Sequence, residues 1–159
     1  LAEIRKLKAR METERVQRSR IGASRHMVDA TRNVKLGPGG LSDAEWTVQL
    51  LQLQHGHKVE GLRTTRTLEA LRAAVDADLV DAADAAVLAQ AWQLASRIRN
   101  MIMLVRGRPS DSLPADVRDL AAVAELLGYA KGENSAFVED YKRLARHARQ
   151  VVDRLFWES

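Results

Sequence analysis

Apolar residues recur every three or four positions along most of this 159-residue chain, a spacing that predicts amphipathic helices. Six segments carry the pattern: 1–18, 43–55, 66–78, 82–106, 114–128 and 136–156. No stretch alternates apolar and polar residues for long enough to predict a strand. The predicted fold class is therefore all-α, a bundle of five or six helices.

Residues suited to helix ends flank several of these segments. Asp81 is placed to cap the helix 82–106, and Gly107 is placed to end it. Pro114 is placed to open the fifth helix, and Ser135 is placed to cap the sixth. These residues predict the bounds of the second half of the bundle.

The strongest local signal for a helix start lies in residues 35–46, which read KLGPGGLSDAEW. Ser42 and Glu45 have the spacing of a capping box, in which each side chain accepts a hydrogen bond from the other residue's backbone N–H. Leu41 and Trp46 have the spacing of the hydrophobic staple that accompanies such a box. We therefore expect side-chain capping at the start of the helix 43–55.

The net charge of +4 is distributed unevenly. Residues 1–35 contain ten Lys and Arg against four Asp and Glu, whereas residues 36–159 contain fifteen against seventeen. We divide the chain accordingly into a basic helix and loop (1–35) and a helical bundle domain (36–159). Residues 19–35 show no periodicity and are predicted to form a mobile loop, ordered only by a partner.

Composition narrows the possible chemistry. The chain has no cysteine, which excludes disulfides, thiolate catalysis and cysteine-bound zinc. No apolar run approaches the roughly 18 residues of a membrane span, so we expect a cytoplasmic protein without membrane contact. The basic segment invites comparison with nucleic-acid binders, but it contains no aromatic residue on which bases could stack. Nucleic-acid binding is therefore a minor alternative.

The glycine-rich loop before a helix admits two interpretations. Free backbone N–H groups and the helix dipole favour a phosphate, and Lys35 would add a positive charge. However, no Lys-Ser/Thr pair follows the glycines, and Asp43 would repel a phosphate unless a divalent cation lay between them. Asp43 and Glu45 are about 200° apart around a helix, so one metal ion does not readily take both. Plain helix initiation is the alternative, and we predict no metal site.

Arg106 and Arg108 stand at the end of the predicted helix 82–106. The helix dipole favours cations there, which explains them without any function. The alternative is a docking patch, because the segment Arg106-Gly107-Arg108-Pro109 is predicted to project from a loop.

The segment from Lys35 to Trp46 has the form Lys-x-Gly-x-Gly-Gly-Leu-x-Asp-x-Glu-Trp. It resembles the signature that opens the helical domain of bacterial glutamine synthetase adenylyltransferase, also called glutamate–ammonia-ligase adenylyltransferase. The resemblance covers nearly the whole chain. Residues 3–12 look like the link from an upstream nucleotidyltransferase domain, and 62–68, 105–109 and 151–157 fit the same family. The Arg- and Ala-rich composition is similar to that of actinobacterial members.

The resemblance implies that the chain is the C-terminal helical domain of a bifunctional adenylyltransferase/adenylyl-removing enzyme. Such a parent moves AMP from ATP to a tyrosine of glutamine synthetase with magnesium, under the control of PII-type signalling proteins and glutamine, and so regulates nitrogen assimilation. The Gly-Ser-x-x-Asp-x-Asp motif that binds the catalytic metals in this family is missing from the chain. We therefore expect the chain alone to be inactive, with ATP and magnesium bound only by the parent.

The resemblance transfers one set of candidate site residues, all in the signature: Lys35, Gly37, Gly39, Gly40, Asp43 and Glu45. One hypothesis places them beside the active site, with Lys35 and Asp43 completing the nucleotide cleft of the upstream domain. The other gives them only the fixing of the angle between domains. A further alternative is a stand-alone regulatory bundle that docks a PII-type protein or glutamine synthetase.

Overall fold

The computed structural model describes residues 2–21 and 30–158. Within these residues it contains six α-helices: α1 (Ala2–Ile21), α2 (Leu41–His55), α3 (Thr67–Asp76), α4 (Ala82–Arg106), α5 (Val117–Leu126) and α6 (Asn134–Val152). Short 3₁₀ turns lie at Ala30–Arg32 and Glu60–Leu62, and a π-helical turn, Asp153–Trp157, follows α6. The extended pairing in the described residues is a single bridge between Asn33 and Ser112. The predicted all-α bundle is confirmed.

Local capping signals explain the bounds of α4. The side chain of Asp81 accepts a hydrogen bond from the N–H of Ala83, and Gly107 closes the helix in the left-handed conformation with φ +64. Its N–H donates to the carbonyl of Met103. The predicted bounds of 82–106 are confirmed because both ends depend on residues next to the helix in sequence.

Two predicted helix starts were wrong. Helix α5 begins at Val117 and not at Pro114, because the Asp116 carboxylate accepts the N–H groups of its first turn. Helix α6 begins at Asn134, so Ser135 lies inside it and does not cap it. Its regular α-helical geometry ends at Val152, and the remaining five residues form the π-helical turn.

Buried apolar side chains form two clusters in the described residues, and α4 contributes to both. The first includes Leu50 and Leu88 with Phe156 from the π-helical turn. The second includes Ile98 and Phe137, together with Val34 from the segment before α2. Because α4 passes through both clusters, it is the central helix on which the others pack.

The segment predicted as a mobile loop is partly regular structure. Residues 19–21 belong to α1, and residues 22–29 lie outside the described residues. Val34 is fully buried, and its N–H donates to the carbonyl of Asp111 at 2.7 Å. Residues 30–35 are therefore fixed by the bundle itself, which corrects the prediction for that part. The division of the chain at residue 35 remains a prediction.

No helix of the described residues has a stretch that is both long enough and apolar enough to cross a lipid bilayer.

Candidate functional site

Helix α2 begins without the predicted capping box. Its first residue is Leu41, and Gly40 precedes it with no side chain capping the helix. The N–H of Ser42 donates to the carbonyl of Lys35 at 2.9 Å, and the N–H of Asp43 donates to the carbonyl of Gly40 at 3.1 Å. The capping-box prediction was wrong because the loop folds back and satisfies these N–H groups with its own backbone.

The side chains assigned to the box and the staple have other contacts. The Glu45 carboxylate is partly buried and accepts a hydrogen bond from the Trp92 indole at 3.3 Å, which ties α2 to α4. Leu41 and Trp46 pack into different core clusters, so the predicted staple was also wrong. Glu45 therefore connects two helices and does not cap one.

We call residues 35–40 the glycine loop. Its three glycines lie where no side chain fits. A β-carbon on Gly39 would stand 1.8 Å from the carbonyl oxygen of Ala145 on α6, and the φ of Gly39 is +67. A β-carbon on Gly37 would stand 2.2 Å from the carbonyl oxygen of Asn33, and one on Gly40 would stand 2.8 Å from that of Val34. Close backbone packing therefore requires all three glycines.

The N–H groups of the same glycines are already bonded within the chain. Gly37 donates to the carbonyl of Asn33 at 2.8 Å, and Gly40 donates to the carbonyl of Gly37 at 2.9 Å. Gly39 donates to Oδ2 of Asp43 at 2.8 Å. Since these donors all have partners, this geometry favours a structural loop over a phosphate cradle.

Asp43 is the centre of a buried group of charges. It is 3% exposed, and its Oδ1 accepts a hydrogen bond from the Lys8 ammonium on α1 at 2.5 Å. Its Oδ2 accepts the Gly39 N–H and, at 3.3 Å, the Arg149 guanidinium on α6. One carboxylate therefore binds the glycine loop and two helices that are distant in sequence.

Glu12 closes this group, which we call the Asp43 network (Lys8, Glu12, Asp43 and Arg149). Its Oε1 lies 3.0 Å from Nζ of Lys8 and 3.0 Å from Nη1 of Arg149. Burial alone would lower the pKa of the Arg149 guanidinium, but the hydrogen bond to Glu12 and the charge of Asp43 raise that pKa above its ordinary value. Arg149 therefore stays charged in the network.

Lys35 differs from the rest of the signature. Its backbone is part of the loop, because its N–H donates to Oδ1 of Asn33 at 3.1 Å. Its ammonium, on a partly exposed side chain, makes no hydrogen bond or ion pair with any residue the structure describes. Lys35 is thus the charged signature residue that remains available for another domain or a ligand.

Comparison with known proteins assigns the chain to a family. A sequence profile of the family described as GlnD PII-uridylyltransferase matches residues 5–156. The chain belongs to this family.

This GlnD-family chain is also similar to proteins named bifunctional glutamine synthetase adenylyltransferase/adenylyl-removing enzyme. It is 56% identical to the one from Streptomyces avermitilis and 54% identical to the one from Streptomyces coelicolor, in each case over 155 residues and 98% of the chain. It is 52% identical to the one from Cutibacterium acnes over 157 residues and 99% of the chain. The resemblance found in the signature is confirmed. The chain spans about 15% of the length of these curated relatives.

The two arginines predicted to dock a partner have different surroundings. Nε of Arg106 lies 3.3 Å from Oδ2 of Asp119, a contact that joins the end of α4 to the start of α5. Arg108 is exposed and has no partner among the described residues of this GlnD-family chain. Arg106 therefore has a structural contact, and docking by either arginine stays a prediction.

The carboxylates of the signature do not come together. Asp43 lies between two cations, whereas Glu45 faces Trp92. Across the described residues, no three His, Cys, Asp or Glu side chains are grouped so that they could hold a metal ion.

Sequence analysis did not single out Lys8, Glu12 or Arg149. A signal was available on α1, where Lys8 and Glu12 follow Ile4 at intervals of four and share one helix face with it. On α6, Arg149 follows the buried Ala145 by four residues and lies at the edge of the buried face. A charged residue aligned with an apolar helix face is the pattern that indicates a buried ionic contact.

We expect Gly39→Ala to lower the free energy of unfolding by about 3 kcal/mol or more, because it adds a backbone collision to left-handed strain. Gly107→Ala is the matched control. Gly107 has nearly the same φ, +64, but nothing lies within 4 Å of its added β-carbon, so we expect a loss of about 1 kcal/mol. Urea unfolding of the two variants measures the difference. Equal losses would contradict the packing role of Gly39.

We expect Asp43→Asn to lower the free energy of unfolding by about 3–5 kcal/mol, because it removes the charge that Lys8 faces in a buried site. The control is Glu69→Gln, which breaks the exposed ion pair between Arg66 and Glu69 and is expected to leave the urea midpoint unchanged. A midpoint for Asp43→Asn equal to that of the unmodified chain would show that the network is not structural.

Tyr141 should contribute to a loss of stability at high pH. Burial, and next the charge of Asp43, raises the pKa of its hydroxyl above the ordinary value. Because Tyr141 ionises more readily in the unfolded chain, the folded state loses stability as the pH rises above about 10. We expect Tyr141→Phe to weaken this loss, measured as the shift of the urea midpoint between pH 8 and pH 11. An undiminished shift would contradict the assignment.

Proposed function

We propose that this chain is the helical part of a glutamine synthetase adenylyltransferase and that it braces the domain in which AMP transfer occurs. The similarity to the Streptomyces and Cutibacterium enzymes supports this role. The chain also lacks the Gly-Ser-x-x-Asp-x-Asp motif that two-metal chemistry in this family requires. In this proposal the chain has a structural role, and a neighbouring nucleotidyltransferase domain carries out the phosphoryl chemistry.

The observation that carries the proposal is the Asp43 network. It joins α1, the helix that resembles the link from the upstream domain, to the glycine loop and to α6. While α1 is docked, the ion pairs of Lys8 with Asp43 and of Glu12 with Arg149 fix its position on the bundle. A domain attached before α1 would therefore be held at a defined angle to the bundle.

Within the signature we assign different roles to Lys35 and Asp43. Asp43 acts as the brace, since its oxygens are bonded to Lys8, Arg149 and the Gly39 N–H. Lys35 contacts the upstream domain, since its ammonium has no partner in the described residues. A lysine ammonium suits a phosphate of ATP or a carboxylate that lines the nucleotide cleft.

The parent reaction follows from the names of the relatives and from the resemblance. We propose that the neighbouring domain binds ATP and magnesium and transfers AMP to a tyrosine of glutamine synthetase in the cytoplasm. Those ligands belong to the parent, and this chain contributes Lys35 at the edge of the cleft.

A second candidate function is docking of a PII-type signalling protein. The description of the family names PII, and this favours it. The exposed Arg108, which has no partner in the described residues, would meet an acidic patch on such a protein. Pull-down by the chain tests this candidate, because retention of a PII-type protein favours docking and failure to retain one contradicts it.

We expect Lys35→Met in the parent enzyme to lower the rate of AMP transfer to glutamine synthetase at least about tenfold, because one charge contact to the transferring group is worth about 1.4 kcal/mol or more. The unfolding midpoint should not change, since the Lys35 ammonium stabilises no described neighbour. Transfer of radioactive AMP measures the rate. The matched control is Lys131→Met, an exposed lysine outside the signature, which should keep the full rate.

A normal rate for Lys35→Met would remove this residue from the cleft. Labelling of glutamine synthetase by the purified 159-residue chain alone would contradict the whole division of labour.

A further inference from the structure

The Asp43 network consists of two neutral pairs on opposite sides of an interface. Helix α1 contributes Lys8 and Glu12, which are 3.0 Å apart, and the bundle contributes Asp43 and Arg149, which are 3.3 Å apart. Arg149 also pairs with Asp153 at 2.9 Å, but the Asp153 side chain is 45% exposed and stays solvated. If α1 left the bundle, the buried part of each side would therefore keep one positive and one negative charge. Neither side would bury an uncompensated charge, so separation avoids the main penalty of breaking a buried ion pair.

The other described contacts of α1 with the bundle are few and mostly polar. Ile4 packs against the first core cluster, and Nε of Arg5 donates to the carbonyl of Phe156 at 2.7 Å. The Lys8 ammonium also lies 5.4 Å from the centre of the Phe156 ring. By contrast, Leu7 is 52% exposed and Met11 is 40% exposed. An element with so little buried apolar surface opens more readily than the core.

The glycine loop depends on the same carboxylate that receives Lys8. Oδ2 of Asp43 accepts the Gly39 N–H, and Gly39 is held against Ala145 in a left-handed conformation. When Lys8 leaves Oδ1, Arg149 loses Glu12 while its Nε stays paired with Asp153, and its Nη1 then has only Asp43 to approach. Any rotation of the Asp43 side chain toward Arg149 weakens its bond to the Gly39 N–H.

We propose that α1 is a releasable strap, and that its docking controls the order of the glycine loop through Asp43. Docked α1 holds Oδ1 of Asp43 in place and leaves Oδ2 for the Gly39 N–H. Undocked α1 takes Lys8 and Glu12 into solvent together, and the loop loosens. If the chain is the brace of a larger enzyme, as proposed above, a movement of the upstream domain that undocks α1 would loosen the glycine loop and so change the position of Lys35.

Hydrogen exchange of the unmodified 159-residue chain tests the coupling directly, because the Gly39 amide is itself a member of the contact. At low concentrations of urea, we expect the amides of residues 2–14 and of the glycine loop to exchange with one opening rate and one urea dependence. The amides of α4 should exchange much more slowly. Opening of α1 with no change at the glycine loop would overturn the proposal. Exchange of α1, the loop and α4 all together would overturn it as well.

Two substitutions on α1 provide the matched comparison. Lys8→Met removes the buried cation and is expected to speed exchange in α1 and at Gly39 at least about tenfold, with α4 still exchanging much more slowly than both. Lys6→Met removes an exposed cation that pairs with Glu3 at 3.0 Å, and it should change neither. Acceleration in α1 alone would show that Lys8 is merely an anchor, which would overturn the proposal.

A double substitution tests the pairing of charges. Lys8→Met leaves the Glu12 and Asp43 carboxylates with Arg149 as their shared cation, whereas Lys8→Met with Glu12→Gln removes one charge of each sign. We expect the double variant to exchange at Gly39 several-fold more slowly than Lys8→Met alone. Additive acceleration by the two substitutions would contradict the two-pair design. These measurements involve no AMP transfer, so their failure is distinguishable from failure of the proposed function.

Discussion

A carboxylate withdrawn from water must find partners inside the protein, and Asp43 imposes this constraint on the whole arrangement. Its two oxygens receive a lysine from α1, an arginine from α6 and a backbone N–H from the glycine loop. Leaving a buried carboxylate without such partners costs several kcal/mol. The three elements therefore have to meet at one point, although positions 8, 43 and 149 are far apart in the chain.

The glycines of the signature follow from the same meeting point. For its N–H to reach Asp43, the loop must pass so close to α6 that a β-carbon on Gly39 would overlap the Ala145 carbonyl. Glu45 extends the arrangement by joining α2 to Trp92 on α4. Most of this signature thus specifies a backbone path. Lys35 is the exception, because its side chain has no structural task in the described part of the chain.

The sequence was sufficient to predict a helix end wherever that end depends on residues next to it in the chain. Both bounds of α4 could be predicted because Asp81 and Gly107 act on adjacent residues. The start of α2 could not, because the carbonyl of Lys35 satisfies the Ser42 N–H that the capping box assigned to the Glu45 side chain. Periodicity places Lys8, Glu12 and Arg149 near buried helix faces, but it could not identify Asp43 as their partner, since α1 and α6 meet Asp43 only through tertiary packing.

The surroundings of the acidic residues in the signature give a chemical reason for assigning AMP transfer to a neighbouring domain. A carboxylate attracts magnesium through oxygens that are free to coordinate it. In this chain Asp43 is bound by two cations and an N–H, and Glu45 is partly buried against an indole. A magnesium ion at Asp43 would have to displace Lys8 or Arg149 and thereby release α1 or α6 from the loop. The contacts that make this signature a good brace thus make it a poor metal site, which is why we assign the metal chemistry to a neighbouring domain.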